Sequence, residues 1–128
     1  MRRLILLGAL AAATAFALPA YAGLYVYIHG TRDMLTWHSP DGRALDLTSP
    51  DGKGIRVARI EPADRAGLKP GDVIAAVDGQ PVAHVVDLVI YANAHPQAAC
   101  KLSVRRGQDG LQLALPAGEL MALVHPQP

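Results

Sequence analysis

The chain has 128 residues, with 12 Lys+Arg against 11 Asp+Glu, which is enough for one domain and leaves it close to neutral. Basic and acidic side chains are interspersed, so the sequence lacks the basic excess of a nucleic-acid-binding protein and excludes that class of partner. The single cysteine, Cys100, excludes an intramolecular disulfide and a thiolate metal site. Because Cys100 alternates with Leu102 and Val104, we expect a buried structural thiol.

The N-terminus has the features of a targeting segment. Arginines at positions 2 and 3 precede an uncharged apolar run at 4–18, and Ala20-Tyr21-Ala22 fits the small-x-small cleavage pattern. These features predict a signal peptide over residues 1–22. The alternative is an uncleaved anchor to about residue 28, because the uncharged stretch 4–28 is long enough to span a bilayer. Both interpretations predict an exported, periplasmic domain, either soluble or anchored to the inner membrane.

Residues 23–41 are interpreted as an approach segment between the signal and the folded domain. Two aromatic-rich pieces, 24–28 and 34–37, each fit a short strand or a simple connection, and the pattern does not choose between them. Alternation of apolar and polar residues then predicts strands at Arg43–Thr48 and Ile55–Ile60.

The middle of the chain is rich in turn signals. A short helix is predicted at Pro62–Ala66 and ends at Gly67, since glycine readily adopts the left-handed conformation that terminates helices. Asp72–Val77 predicts a largely apolar, central strand. Asp78-Gly79 predicts a hairpin turn, because both central residues of such a turn need positive φ, and Gln80–Val82 is the short return strand.

One long helix is predicted at Val85–Asn93, where apolar residues recur at spacings that place them on one face, with His84 as the N-cap. Two further strands follow at Cys100–Arg105 and Leu111–Leu115, joined by a polar turn. Residues 118–128 form a tail without a clear element. The predicted order is β, β, short α, β, β, long α, β, β.

Two linked motifs give the sequence a family resemblance. The chain contains Ala66-Gly67-Leu68-Lys69-Pro70-Gly71-Asp72-Val73-Ile74 and then Asp78-Gly79-Gln80-Pro81-Val82. The combination resembles the HtrA-like PDZ domains of the bacterial envelope, over residues 42–117. The resemblance implies an α+β, mainly β fold: a small, partly open β-barrel or sandwich of five to six strands with one short and one long helix.

The resemblance also implies a binding groove between one strand and the long helix. An extended segment or C-terminus of a partner protein would add there as a strand, with its carboxylate bound by backbone amides. The matching positions are Gly42, Arg43, Ala44 and Leu45 in the carboxylate loop, Asp46 and Leu47 in the strand, and Val85, Val89 and Ala92 on the helix.

Four of these positions leave alternatives open. Ala44 stands where PDZ domains commonly have glycine, and would be strained if that position needs positive φ. Arg43 either places a charge near a bound carboxylate or is an ordinary solvated side chain. Val85 and Val89 either face a ligand or fill the core.

Catalytic and metal-binding motifs are missing from the sequence. None of the three serines lies in a Gly-x-Ser-x-Gly context, and the five histidines include no His-Glu-x-x-His pair. We therefore predict that the chain is not an enzyme and uses no metal or cofactor.

The predicted function is a non-catalytic peptide-binding module of the cell envelope, acting on C-termini or extended segments of proteins. One alternative is a membrane-anchored interaction domain of a secretion or assembly complex without carboxylate capture, in contact with the membrane through its N-terminal helix. Another is a structural remnant with an occluded groove. A retained N-terminus favours the anchored alternative.

Overall fold

The computed structural model describes residues 27–126, so the predicted signal or anchor at 1–22 lies outside the described residues. Within them are eight strands, one 3₁₀ turn and two α-helices. The elements are β1 (Tyr27–Gly30), β2 (Met34–His38), β3 (Ala44–Thr48), β4 (Ile55–Glu61), the 3₁₀ turn (Arg65–Gly67), β5 (Val73–Val77), β6 (Gln80–Pro81), α1 (Val85–Ala94), β7 (Cys100–Arg106), β8 (Asp109–Leu115) and α2 (Glu119–Val124). Neither α-helix in this part of the chain has the length and apolar character to cross a membrane.

The strands form one antiparallel sheet in the order β1-β2-β3-β4-β5-β7-β8, and β6 pairs with β5. The end strands β1 and β8 do not pair with each other, so the sheet is open. The predicted mainly β fold with one long helix is confirmed. The approach segment contributes two strands to the sheet, which raises the strand count above the predicted five to six.

Side chains from the sheet and from both helices share one hydrophobic core. Alternate residues of β2 and β3 enter it, as the twofold side-chain period of a strand requires. On α1, Val85, Leu88 and Ala92 are buried, which is the face that their spacing predicts. Cys100 is only 7% exposed, so the predicted burial of the thiol is confirmed.

The glycine-bearing turns follow the sequence prediction, with one correction. Asp78 and Gly79 have φ of 49° and 81°, as the hairpin turn requires, and Gly67 has φ of 81°. The predicted short helix at Pro62–Ala66 is instead the 3₁₀ turn. Asp64 and Ala66 have positive φ, 68° and 58°, and a right-handed helix cannot propagate through such residues.

The C-terminal tail is a second correction, because α2 lies where no element was predicted. Its apolar residues Leu120, Leu123 and Val124 are buried in the core. Six residues are too few for the helical period to stand out in the sequence, and packing stabilises most short helices.

Candidate functional site

Most of the apolar residues predicted to form a groove lie on β3 and α1, which contribute to the same core. Leu45 and Leu47 of β3 are fully buried, and Val85 and Ala92 of α1 are buried in the same core. Val89 is half-buried and packs against them. Of the remaining predicted residues, Gly42 is exposed, Arg43 and Asp46 are half-buried, and Ala44 is buried.

Strand β3 has a hydrogen-bonded neighbour on each edge. β4 lies on one side, and β2 pairs antiparallel on the other, from Met34 opposite Thr48 to His38 opposite Ala44. The edge on which we expected an incoming strand therefore carries a strand of the same chain. Leu35 and Trp37 of β2 are 5% and 0% exposed, so β2 contributes apolar side chains at alternate positions.

The predicted carboxylate loop is the turn that joins β2 to β3. The Gly42 amide donates to the Ser39 carbonyl at 3.0 Å, and the Ser39 amide donates to the Arg43 carbonyl at 2.8 Å. The positive φ of this turn falls on Gly42, at 94°, and Ala44 has an ordinary φ. The strain considered at Ala44 consequently does not arise, because glycine occupies the left-handed position two residues earlier.

A carboxylate from the chain itself lies at the start of β3. The Arg43 amide donates to Asp41 Oδ1 at 3.1 Å, and Arg43 Nε lies 3.0 and 2.8 Å from Oδ1 and Oδ2. The Arg43 amide, the Ser39 side chain and the Arg43 guanidinium together lower the pKa of Asp41. The Arg43 amide and the Arg43 guanidinium, which could have bound a ligand carboxylate, thus bind the carboxylate of Asp41.

Trp37 is the largest fully buried side chain of the site. Its indole Nε1 donates to the Leu123 carbonyl of α2 at 3.0 Å. The guanidinium carbons of Arg43 and Arg65 lie 5.9 and 5.8 Å from a Trp37 ring centroid, within the range of a cation–π interaction. These contacts fix β2 in the space beside β3 and α2.

The other end of β2 is joined to the N-terminus of α1. The first amides of a helix have no partner inside the helix. Here the Val86 amide donates to the Arg32 carbonyl at 2.9 Å, and the Val85 amide donates to Ser49 Oγ at 3.0 Å. The segment before β2 therefore supplies part of the cap of α1.

Side chains reinforce this junction, which we call the latch and define as Arg32, Asp33, Ser49 and His84. Ser49 Oγ donates to Asp33 Oδ1 at 2.9 Å, and His84 Nδ1 lies 2.6 Å from the same oxygen. His84 is the N-cap of α1, as predicted. The bonds from His84 and then Ser49 lower the pKa of Asp33.

Sequence reasoning left open whether 34–37 is a strand, and it did not place Arg32, Asp33 and Ser49 beside the predicted N-cap His84. The alternation of Leu35 and Trp37 was the available signal, although it could not show which strand would be the neighbour. Among residues 27–126, no group of three or more His, Cys, Asp or Glu side chains is arranged to hold a metal ion.

The fold is a small antiparallel β domain in which β2 pairs with β3 and both helices pack on the shared core. The PDZ domain family model matches residues 42–116, and the chain belongs to that family. β1, β2 and α2 lie outside the matched residues. The chain is 40% identical over 75 residues to a putative serine protease, HhoA, of Synechocystis, and 46% identical over 63 residues to the mitochondrial serine protease HTRA2 of Bos taurus. The resemblance to HtrA-like PDZ domains is confirmed.

These matches cover 56% and 47% of this chain but only 19% and 13% of the two proteases. The structure of the HtrA3 PDZ domain bound to a phage-derived ligand, FGRWV, is similar at 22% identity with a TM-score of 0.45. That likeness covers 73% of this chain and 86% of the HtrA3 chain.

Proposed function

We propose that this chain is a non-catalytic PDZ module of the cell envelope that binds C-terminal or extended segments of proteins by strand pairing on β3 beside α1. The pairing of β2 with β3 is the observation that carries the proposal. In this pairing β3 binds an extended segment through main-chain hydrogen bonds, and the segment buries two side chains, Leu35 and Trp37.

The family and the targeting segment support the rest of the proposal. PDZ domains are binding modules, and both protease relatives match this chain over only a small part of their own length. The sequence has no nucleophile motif, which supports a non-catalytic role. The apolar segment at 1–22 supports a location in the envelope.

A second candidate is an interaction domain of a secretion or assembly complex that does not capture carboxylates. The engaged turn between β2 and β3 favours it, because the amides of Gly42 and Arg43 already have acceptors. The first candidate binds peptide segments by strand pairing and can include free C-termini, whereas the second does not capture a carboxylate.

A peptide screen on the full chain tests the proposal. We expect peptides to bind and the Val89→Glu variant to weaken binding about tenfold, because the new charge faces the apolar groove. Ile90→Glu is the matched control, since Ile90 is 59% exposed on the same helix, and it should change binding less than about twofold. Thermal melts confirm that both variants fold. Peptides with free and amidated C-termini test carboxylate capture, and binding of no peptide at all would refute the proposal and favour the second candidate or an occluded groove.

A further inference from the structure

We infer that the β1–β2 hairpin, residues 27–38, is an intramolecular ligand of this PDZ domain, and that the partner replacing it is an internal extended segment with the side-chain pattern of β2. The inference rests on the proposed function and adds the kind of segment that the site accepts.

The hairpin is an addition at one edge of the domain. β1 pairs only with β2 among the described strands, and β2 reaches β3 through the single turn at Ser39–Arg43. The family match begins at Gly42, after the hairpin. Since no described strand lies beyond β1, the hairpin can leave β3 without unpairing the remaining sheet.

The pattern that the site accepts is given by β2 itself. Leu35 and Trp37 point into the core, while Thr36 between them donates a hydrogen bond to the Asp46 carboxylate on the neighbouring strand. A competing segment therefore needs an aliphatic residue, a hydroxyl residue and an aromatic residue at three consecutive positions. Main-chain pairing with β3 completes the interaction.

A free C-terminus fits this site less well than an internal segment. Strand β2 does not end beside β3 but continues into the turn, where Asp41 accepts the Arg43 amide and guanidinium. Asp41 is two residues from Arg43, so it stays nearby when the hairpin leaves. A ligand carboxylate would compete with this intramolecular group at high effective concentration, whereas an internal segment needs no carboxylate site.

Dissociation begins most easily at the latch. The side chains of Asp33 and His84 are 43% and 25% exposed, and the contact of Arg32 with His84 is exposed. The exposed Arg32–His84 contact stabilises weakly, in contrast to the buried Trp37 at the other end of β2. Because a partner must bind the fraction of molecules with an open hairpin, weakening the latch should raise its apparent affinity.

A reversible covalent lock tests the inference on the full chain. Thr36→Cys and Asp46→Cys place thiols at directly paired positions of β2 and β3, in a Cys100→Ala background. The probe is a synthetic peptide with the sequence of residues 31–38 and an amidated C-terminus. We expect the reduced protein to bind it about tenfold or more tightly than the oxidised protein, and Asp33→Asn to tighten binding to the reduced form further.

Two controls sharpen the test. A peptide carrying Trp37→Asp should lose binding, and a free-acid peptide should bind within about twofold of the amidated one. Hydrogen exchange should show the β2 amides opening before those of β5 and β7.

Three results would overturn the inference alone: equal binding by the oxidised and reduced forms, tenfold preference for the free acid, or exchange of β2 only together with β5 and β7. If β2 opens first and neither form binds any peptide, the proposed function fails as well.

Discussion

The indole Nε1 of Trp37 donates a hydrogen bond to the Leu123 carbonyl across 3.0 Å, joining residues 86 positions apart. Trp37 belongs to β2, before the PDZ match, and Leu123 belongs to α2, after it. The two additions to the domain are therefore tied to each other on the side where β3 would otherwise present an edge. Loss of this contact should therefore destabilise both β2 and α2.

Replacement of Trp37 should separate the hydrogen bond from the packing. Trp37→Phe keeps an aromatic ring but leaves the Leu123 carbonyl without its donor, and should lower the free energy of unfolding by about 1–2 kcal/mol. Trp37→Ala also leaves a cavity and should cost about 3–5 kcal/mol. Urea denaturation followed by circular dichroism measures both.

Met34→Ala is the control for this series, because Met34 lies on the same strand and is 38% exposed. It should change stability by less than about 0.5 kcal/mol. A cost as large as that of Trp37→Ala would contradict the burial pattern of β2.

The pairing of Asp72 with Arg106 should be a major tertiary support of the scaffold. Arg106 Nε and Nη2 each lie 2.8 Å from a different Asp72 oxygen, and the Lys69 amide donates to Asp72 at 2.9 Å. Asp72 is 1% exposed while the Arg106 side chain is 34% exposed, so water moderates the effect. Asp72→Asn should lower the free energy of unfolding by about 2–3 kcal/mol, measured by urea denaturation. The control Arg105→Gln, at an exposed neighbouring position, should change it very little.

The same pair predicts a dependence of stability on pH. The hydrogen bonds from Arg106 and then Lys69 lower the pKa of Asp72 below its ordinary value of 3.8, despite burial. Its stabilising contribution is complete above that ordinary value and is lost as pH falls towards the depressed folded pKa. The stability difference between the wild type and Asp72→Asn should therefore shrink below about pH 4. A difference that grows on acidification would show that the carboxylate is not held in its charged form.

Tyr91 should titrate late in the native protein. Its hydroxyl donates to Asp78 Oδ2 at 2.5 Å, and this bond raises the pKa of Tyr91 from 10.0 to about 12. The bond favours the neutral tyrosine, so its contribution is present below pH 10.0 and is lost as pH rises towards 12. Tyrosinate absorbance, compared with that of Tyr91→Phe, isolates this titration, and Asp78→Asn should return it towards the ordinary value. An unchanged titration in Asp78→Asn would contradict the hydrogen bond as its cause.

Two glycines with positive φ should differ in their tolerance of alanine. At Gly54, φ is 118° and a Cβ would lie 2.8 Å from Val73 Cγ1 and 3.3 Å from the Ile74 carbonyl. At Gly71, φ is 93° and nothing lies within 4 Å. Gly71→Ala should cost about 1–2 kcal/mol from backbone strain, and Gly54→Ala about 2–4 kcal/mol because a clash is added. Thermal melts rank the stability losses of the two variants. A larger loss for Gly71→Ala would show that the clash expected at Gly54 is relieved by movement of its neighbours.

Local chemistry in the sequence predicts much of this scaffold. Asp78 and Gly79 turn the chain because their backbone preferences allow positive φ, and the apolar spacing on Val85–Asn93 identifies α1 to within one residue. The family motif then predicts the position of β3 beside α1. These features depend on residues that are neighbours along the chain, so their signals can be read without knowing distant contacts.

Distant contacts decide which strand lies beside β3. The alternation of Leu35 and Trp37 is compatible with a strand, but every strand offers similar backbone donors and acceptors, and only the folded sheet determines that β2 pairs with β3. Likewise, α2 is stabilised by tertiary contacts such as the one between Leu123 and Trp37. Its six residues are too few for a helical period to be recognised in the sequence. The sequence therefore predicts the strand β3 and the helix α1, whereas tertiary packing determines that β2 pairs with the second edge of β3.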